Sequence, residues 1–129
     1  MIYTQLGNTS LRVSKLSFGA SSLGGVFHDV DEKKAIEAVH AAIELGINYI
    51  DVAPAYGGTK AETVLGLALN EIPRDAYYIS TKVGKHTPIG SYGADSFDYS
   101  NEGIRKSLDE SAHRIGVDYF DIVHLHDIE

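Results

Sequence analysis

Tyr49-Ile-Asp-Val-Ala-Pro-Ala-Tyr-Gly-Gly58 is the stretch that decides how this chain folds. Tyr49 and Ile50 start as a buried strand starts, and Asp51 then puts a carboxylate at its end. Five residues on, Tyr56 carries a phenol into a loop that continues with two glycines. Packing alone favours neither group at the edge of a core. Two later apolar runs end in the same way. Tyr78-Ile-Ser-Thr81 leads into Lys82, and Asp121-Ile-Val-His-Leu125 leads into His126. The pattern predicts Asp51, Lys82 and His126 just past the ends of three strands, with Tyr56 on the loop behind the first.

The segments around that stretch alternate. Ile2–Leu6 and Leu11–Val13 flank Gly7-Asn-Thr9 and read as a β-hairpin. Leu16–Gly19 is a short strand, followed by the glycine-containing loop Ala20–Gly25. That loop is not G-x-G-x-x-G, and no Lys follows its glycines, so neither nucleotide fingerprint applies. Asp31 is placed to cap a helix whose apolar residues Ile36, Val39 and Ile43 recur at helical spacing, and Gly46 ends it. A strand over 47–50 precedes a second helix. Thr59 and Glu62 have the spacing of a capping box there, and Ala61, Val64, Leu65 and Ala68 form its apolar stripe. Pro73 stops that helix, and Tyr77–Thr81 is the next strand. Gly84–Tyr99 is a long polar loop of the kind that often carries function. Ser100 is placed to cap a third helix with Ile104, Leu108, Ala112 and Ile115 on its apolar face, ended by Gly116. Tyr119–Leu125 is the last strand. Strands alternating with helices require parallel pairing and right-handed crossovers, and sites in such sheets form at the carboxyl ends of the strands. No repeat, linker or low-complexity segment divides residues 1–129, so one domain unit is expected.

Composition narrows the function classes. The chain has 129 residues, no cysteine and a formal net charge of −7. An acidic chain is a poor partner for nucleic acid or for an anionic membrane surface. Without cysteine there is neither a disulfide nor thiolate chemistry. The opening residues carry no basic-then-apolar signal, and no apolar run reaches the length of a spanning helix, so a cytoplasmic location is the default expectation.

Taken singly, each site residue has an ordinary explanation. Asp51 could be a turn residue, Tyr56 a cover over the core, Lys82 a solvated cation and His126 an inner histidine with its bonds met. Equivalent positions at three strand ends favour chemistry. A phenol moves a proton poorly at neutral pH without help. A neighbouring ammonium stabilises the phenolate, and a carboxylate keeps that ammonium charged and aimed. A histidine beside them can hold a carbonyl or hydroxyl oxygen. Such a set can protonate an alkoxide as hydride reaches carbon, or take the proton from an alcohol as hydride leaves. No side chain supplies hydride, so a nicotinamide cofactor is implied.

Two alternatives stand beside this one. His124 and His126 lie two apart and could ligate a metal, but no third ligand is spaced to join them, and Asp127 is expected on the other face. Thr59-Lys60 at a helix start could bind a phosphate, although the capping box explains the same residues.

These residues resemble the aldo-keto reductases. Tyr3–Ser14 is similar to that family's opening hairpin, Asp51-Val-Ala-Pro-Ala-Tyr-Gly57 to its D-x-A-x-x-Y-G motif, Ser80–Val83 to its lysine strand and Asp118–His126 to its histidine strand. The resemblance implies the N-terminal half of a (β/α)8 TIM barrel, made of a hairpin, three βα units and a fourth strand. It implies Tyr56 as general acid/base, Lys82 and Asp51 tuning it, and His126 orienting the substrate oxygen. Gly19, Ala20, Ser21 and Asp51 would lie along the nicotinamide of NAD or NADP. No resident metal is implied. Tyr56–Thr59, Phe97–Ser100 and His124–Glu129 are most similar to the family's sugar-dehydrogenase branch, whose substrates include L-galactose, L-fucose and D-threo-aldoses. A sugar or small carbonyl compound is therefore the expected substrate. A complete barrel takes about 250 residues, so this chain lacks the later strands. The fourth strand should present an open edge. That edge invites self-association, and leaves a non-catalytic half-barrel module as the alternative to an enzyme.

Overall fold

A computed structural model describes residues 1–86 and 97–128. Most of the expected Gly84–Tyr99 loop lies outside the described residues. The hairpin forms as expected from β1 (Tyr3–Gln5) and β2 (Arg12–Ser14), antiparallel with Thr4 opposite Val13. Asn48 fastens it to the rest of the chain. Its Oδ1 accepts from the Ser14 amide at 2.7 Å, and its Nδ2 donates to the Arg12 carbonyl at 3.0 Å.

A second sheet holds β3 (Phe18–Gly19), β4 (Tyr49–Asp51), β5 (Tyr78–Val83) and β6 (Ile122–Leu125), all parallel and in sequence order. Helix α1 (Glu32–Glu44) joins β3 to β4, α2 (Lys60–Leu69) joins β4 to β5, and α3 (Asn101–Ile115) joins β5 to β6. A doubly wound sheet reverses its strand order to place helices on both faces. Here the order never reverses, and α2 packs against both α1 and α3. The three helices therefore share one face, which is the arrangement of a barrel wall.

Alternation along β5 assigns the two faces. Ile79 pairs with Ile50, and both lie in the core under the helices with Val39, Val52, Leu65 and Ile115. Each such fully buried side chain contributes about 1.5–3 kcal/mol. Thr81 also faces the helices, since its hydroxyl donates to Glu62 of α2. Tyr78, Ser80 and Lys82 therefore face the opposite, inner side.

The helix ends are mixed in their agreement with expectation. Asp31 caps α1 by accepting from the Lys34 amide at 2.9 Å, and Ser100 caps α3 by accepting from Gly103 at 3.0 Å. The capping box at Thr59 and Glu62 does not form. Gly57, Gly58 and Thr59 all have positive φ, 62°, 58° and 74°, so the chain enters α2 through a left-handed turn and the Thr59 side chain caps nothing. That turn also uses the amides that a phosphate would need. Thr59 donates to the Pro54 carbonyl, Lys60 to Gly57 and Ala61 to Tyr56. On α3 the buried stripe is Gly103, Ser107, Ser111 and Ile115, while Ile104, Leu108 and Ala112 are only half-buried. Small residues let α3 approach its neighbours closely, and the larger ones lie on its flank.

Among the described residues β6 pairs with β5 alone. Val123 and Leu125 on its outer face are 45% and 52% exposed, so the open edge expected of a fourth strand is present.

Candidate active site

Asp51, Lys82 and His126 meet at the carboxyl ends of β4, β5 and β6. The register brings them there: Asp51 pairs with Ser80, and Lys82 pairs with His124. Asp51 is the last residue of β4 and Lys82 the last but one of β5, so both lie inside their strands rather than just beyond them as expected. Strand membership fixes which face each side chain takes. His126 follows β6 directly, and its amide extends the ladder by donating to the Val83 carbonyl at 2.9 Å.

The Lys82 ammonium is held from two sides. Its Nζ donates to Asp51 Oδ2 at 2.6 Å and to the Val52 carbonyl at 3.2 Å. The other carboxylate oxygen of Asp51 accepts from Ser80 Oγ at 2.6 Å. Lys82 Nζ lies 4.8 Å from the centre of the Tyr56 ring, and that ring meets His126 edge-on with centroids 5.9 Å apart. All four sequence-predicted residues are thus gathered. No hydrogen-bond partner of the Tyr56 hydroxyl or of the buried His126 Nδ1 is found among the described residues, and His126 Nε2 lies 3.7 Å from an Asp127 carboxylate oxygen.

His126 favours its neutral form. Burial is the main cause of its lowered pKa. The Asp127 carboxylate opposes that shift, the Lys82 and Lys85 charges add to it, and Asp51 opposes it. A neutral imidazole can donate a hydrogen bond to an oxygen without bringing a charge.

An open concavity of about 490 Å³ lies against three of the four, lined among others by Gly19, Asp51, Lys82, His124, His126 and Asp127, while Tyr56 stands behind its lining. Gly19 borders it with open space where a Cβ would stand. Ala20 is fully buried in the core, and Ser21 is half-buried and outside the lining. The expectation for Asp127 is overturned, because it lines the same concavity rather than the opposite face. β6 ends at Leu125 and Asp127 adopts φ 51°, which turns its carboxylate back to pair with Lys85. Among the described residues no three histidine, aspartate or glutamate side chains are grouped to hold a metal ion.

Other residues support the site without a signal that the sequence made plain. Tyr99 donates its hydroxyl to the Asp127 carbonyl at 2.9 Å and also bonds that of His126, which fixes the backbone after β6. Gly24 and Gly57 touch backbone to backbone. A Cβ on Gly24 would stand 2.8 Å from the Tyr56 carbonyl oxygen, and one on Gly57 would overlap Gly24 itself. The glycine-containing loop is therefore a seat for the Tyr56 turn.

The Aldo/keto reductase family model matches residues 15–129. The chain belongs to this family. L-galactose dehydrogenase of Arabidopsis thaliana is 48% identical over 126 residues, covering 96% of this chain and 37% of that protein. D-threo-aldose 1-dehydrogenase of a Pseudomonas species is 34% identical, covering 92% of this chain and 41% of that one. Among solved structures, an aldo-keto reductase from Bacillus halodurans in its holo form superposes with a TM-score of 0.84 at 37% identity, covering 97% of this chain and 40% of its own. The aldo-keto reductase described here thus spans about two fifths of the length of these relatives. Its sheet and helices are the N-terminal half of a (β/α)8 barrel.

Proposed function

We propose that this chain carries the proton-transfer half of a nicotinamide-dependent oxidoreductase that acts on a sugar hydroxyl or a small carbonyl compound. The observation that carries the reading is the Lys82 ammonium, held by Asp51 at 2.6 Å and set 4.8 Å from the Tyr56 ring, with the His126 ring beside them. Tyr56 gives a proton to the substrate oxygen in reduction and takes it in oxidation. Lys82 favours the phenolate form, and Asp51 holds Lys82 in place. His126 donates to the same oxygen and orients it. Names of the relatives, among them L-galactose and D-threo-aldose dehydrogenases, favour a sugar.

A bound nicotinamide supplies the hydride donor or acceptor. Gly19 and Asp51 border the concavity and would lie along its ring and ribose, with the backbone of Ala20 and Ser21 close behind. The chain spans only about two fifths of its relatives' length, so it holds only part of the surface a dinucleotide would touch. The remaining grip on NAD or NADP therefore belongs to further barrel strands, supplied by a longer chain or by a second copy docked on β6. The exposed β6 edge favours one other reading, a half-barrel that assembles with a partner and does not catalyse.

Calorimetric titration of the chain with NAD and NADP, with its mass in solution measured alongside, separates these readings. Binding by an assembled form supports the oxidoreductase, and a sugar panel then reads turnover. A monomer that binds neither nucleotide favours the non-catalytic reading.

A further inference from the structure

Among the described residues the most buried charged side chain lies outside the set of four. Glu62, in the first turn of α2, has no solvent exposure. Its Oε1 accepts from the Thr81 hydroxyl at 2.9 Å, and its Oε2 is paired with Arg114 of α3. Gly66, one turn further along α2, makes the second contact possible. A Cβ there would stand 2.8 Å from the Arg114 carbonyl oxygen, so only glycine lets α3 come this close.

Both ends of this link are one step from the site. Thr81 precedes Lys82 on β5, so a bond that fixes Thr81 on the helix side also fixes the direction in which Lys82 leaves the inner side. Glu62 lies six residues after Tyr56, and the Ala61 amide beside it donates to the Tyr56 carbonyl at 3.2 Å. A buried ion pair is seldom the most stable way to fill such a space, since apolar side chains of equal volume often serve as well. Directed hydrogen bonds do fix relative position in a way that apolar contact does not.

We propose that Glu62 is a positioning residue, whose carboxylate locks the Tyr56 turn to the Lys82 strand and so sets the distance between phenol and ammonium. The proposal rests on the oxidoreductase reading above for its consequence in turnover, but its geometric content is independent of that reading.

The test uses two changes. Thr81→Val removes one hydroxyl and leaves the ion pair. Glu62→Leu combined with Arg114→Leu replaces the pair by apolar volume. The readout is the ring-proton NMR signals of Tyr56 and His126 in the chain free of cofactor, assigned from their loss in Tyr56→Phe and His126→Gln. The double variant should unfold at nearly the wild-type temperature and Thr81→Val below it, since Thr81→Val leaves a buried carboxylate oxygen without its donor, yet both should stay folded and move both sets of ring signals. Glu62→Gln, which keeps an acceptor for Thr81, should return them toward wild type. In whichever assembly turns over substrate, kcat should fall on the order of tenfold in Thr81→Val, with the KM for nicotinamide little changed. Unmoved ring signals in folded Thr81→Val would overturn the proposal, and that variant decides the matter alone if the double one fails to fold. A wild-type chain that never turns over, in any assembly, would refute the oxidoreductase reading, while the ring signals still decide the role of Glu62.

Discussion

Two ion pairs of nearly equal length bridge neighbouring strands at opposite ends of the same sheet. At the carboxyl end Lys82 meets Asp51 at 2.6 Å, and at the amino end Arg74 meets Asp121 at 2.7 Å. The lower pair holds the chain together, although Arg74 Nε is buried without a hydrogen-bond partner among the described residues. Arg74 donates to the carbonyls of Tyr77 and Tyr119 and lies over both their rings, and Asp121 also accepts from the Ile79 amide. The upper pair is held just as firmly, but borders an open concavity and has a phenol and an imidazole beside it. Length and charge do not tell the pairs apart. Convergence does: at the upper pair a phenol and an imidazole join the carboxylate and the ammonium, and that gathering of titratable groups separates a candidate site from a brace.

The largest expected effect would break the comparison at its upper end. Tyr56→Phe should lower kcat on the order of 10²–10⁴-fold in the assembly that turns over substrate, with little change in nicotinamide affinity by calorimetry. Equal turnover would make the upper pair a second brace. At the lower end, Asp121→Ala leaves a half-buried guanidinium without its partner and should cost about 2–3 kcal/mol in urea unfolding, with the His126 ring signals unmoved. Gly57→Ala forces a side chain into a contact that has no room for it, at positive φ. It should destabilise by about 1–3 kcal/mol and shift the Tyr56 ring signals, by the same unfolding and NMR measurements.

The smallest effects sharpen the upper end alone. Lys82→Met removes a cation that disfavours protonated His126, so the NMR-monitored titration of that ring should move to higher pH. Asp127→Asn removes an anion that favours it and should move the titration lower. The sign for stability follows. The folded pKa of His126 lies below its ordinary 6.5, so its neutral form contributes fully above that value, and the contribution is lost as pH falls through the lowered one. Acid unfolding of His126→Gln should accordingly begin at lower pH than that of wild type. An unchanged acid transition would show that burial of this ring is too slight to matter.

The elements were legible because their signals are local. Asp31 and Ser100 cap the helices predicted from them, and Gly116 ends α3 with φ 79°. Asp51, Lys82 and His126 could be singled out because strand-end position and alternation are readable within a few residues. What could not be read depends on distant partners. Glu62 sits where a capping box would put it, and Thr81 and Arg114, 19 and 52 residues away, draw it inward. Ser107 and Ser111 look like the polar face of α3, yet are buried because small residues let it pack closely. Gly24 looked like a failed nucleotide loop, and its purpose is plain only once Gly57 lies against it. Asp127 reads as facing away until its positive φ turns it back.

The strictly sequential order of β3, β4, β5 and β6 bears on how the chain is made. Each new βα unit docks on the one translated just before it, so nothing must wait for a distant segment to emerge from the ribosome. The same order leaves the newest strand as the growing front. Ile122-Val-His-Leu125 carries neither proline nor lysine to discourage pairing, so until its next neighbour arrives this short edge is where nascent chains would stick to one another. Yield of soluble protein should therefore depend on how soon that edge is covered.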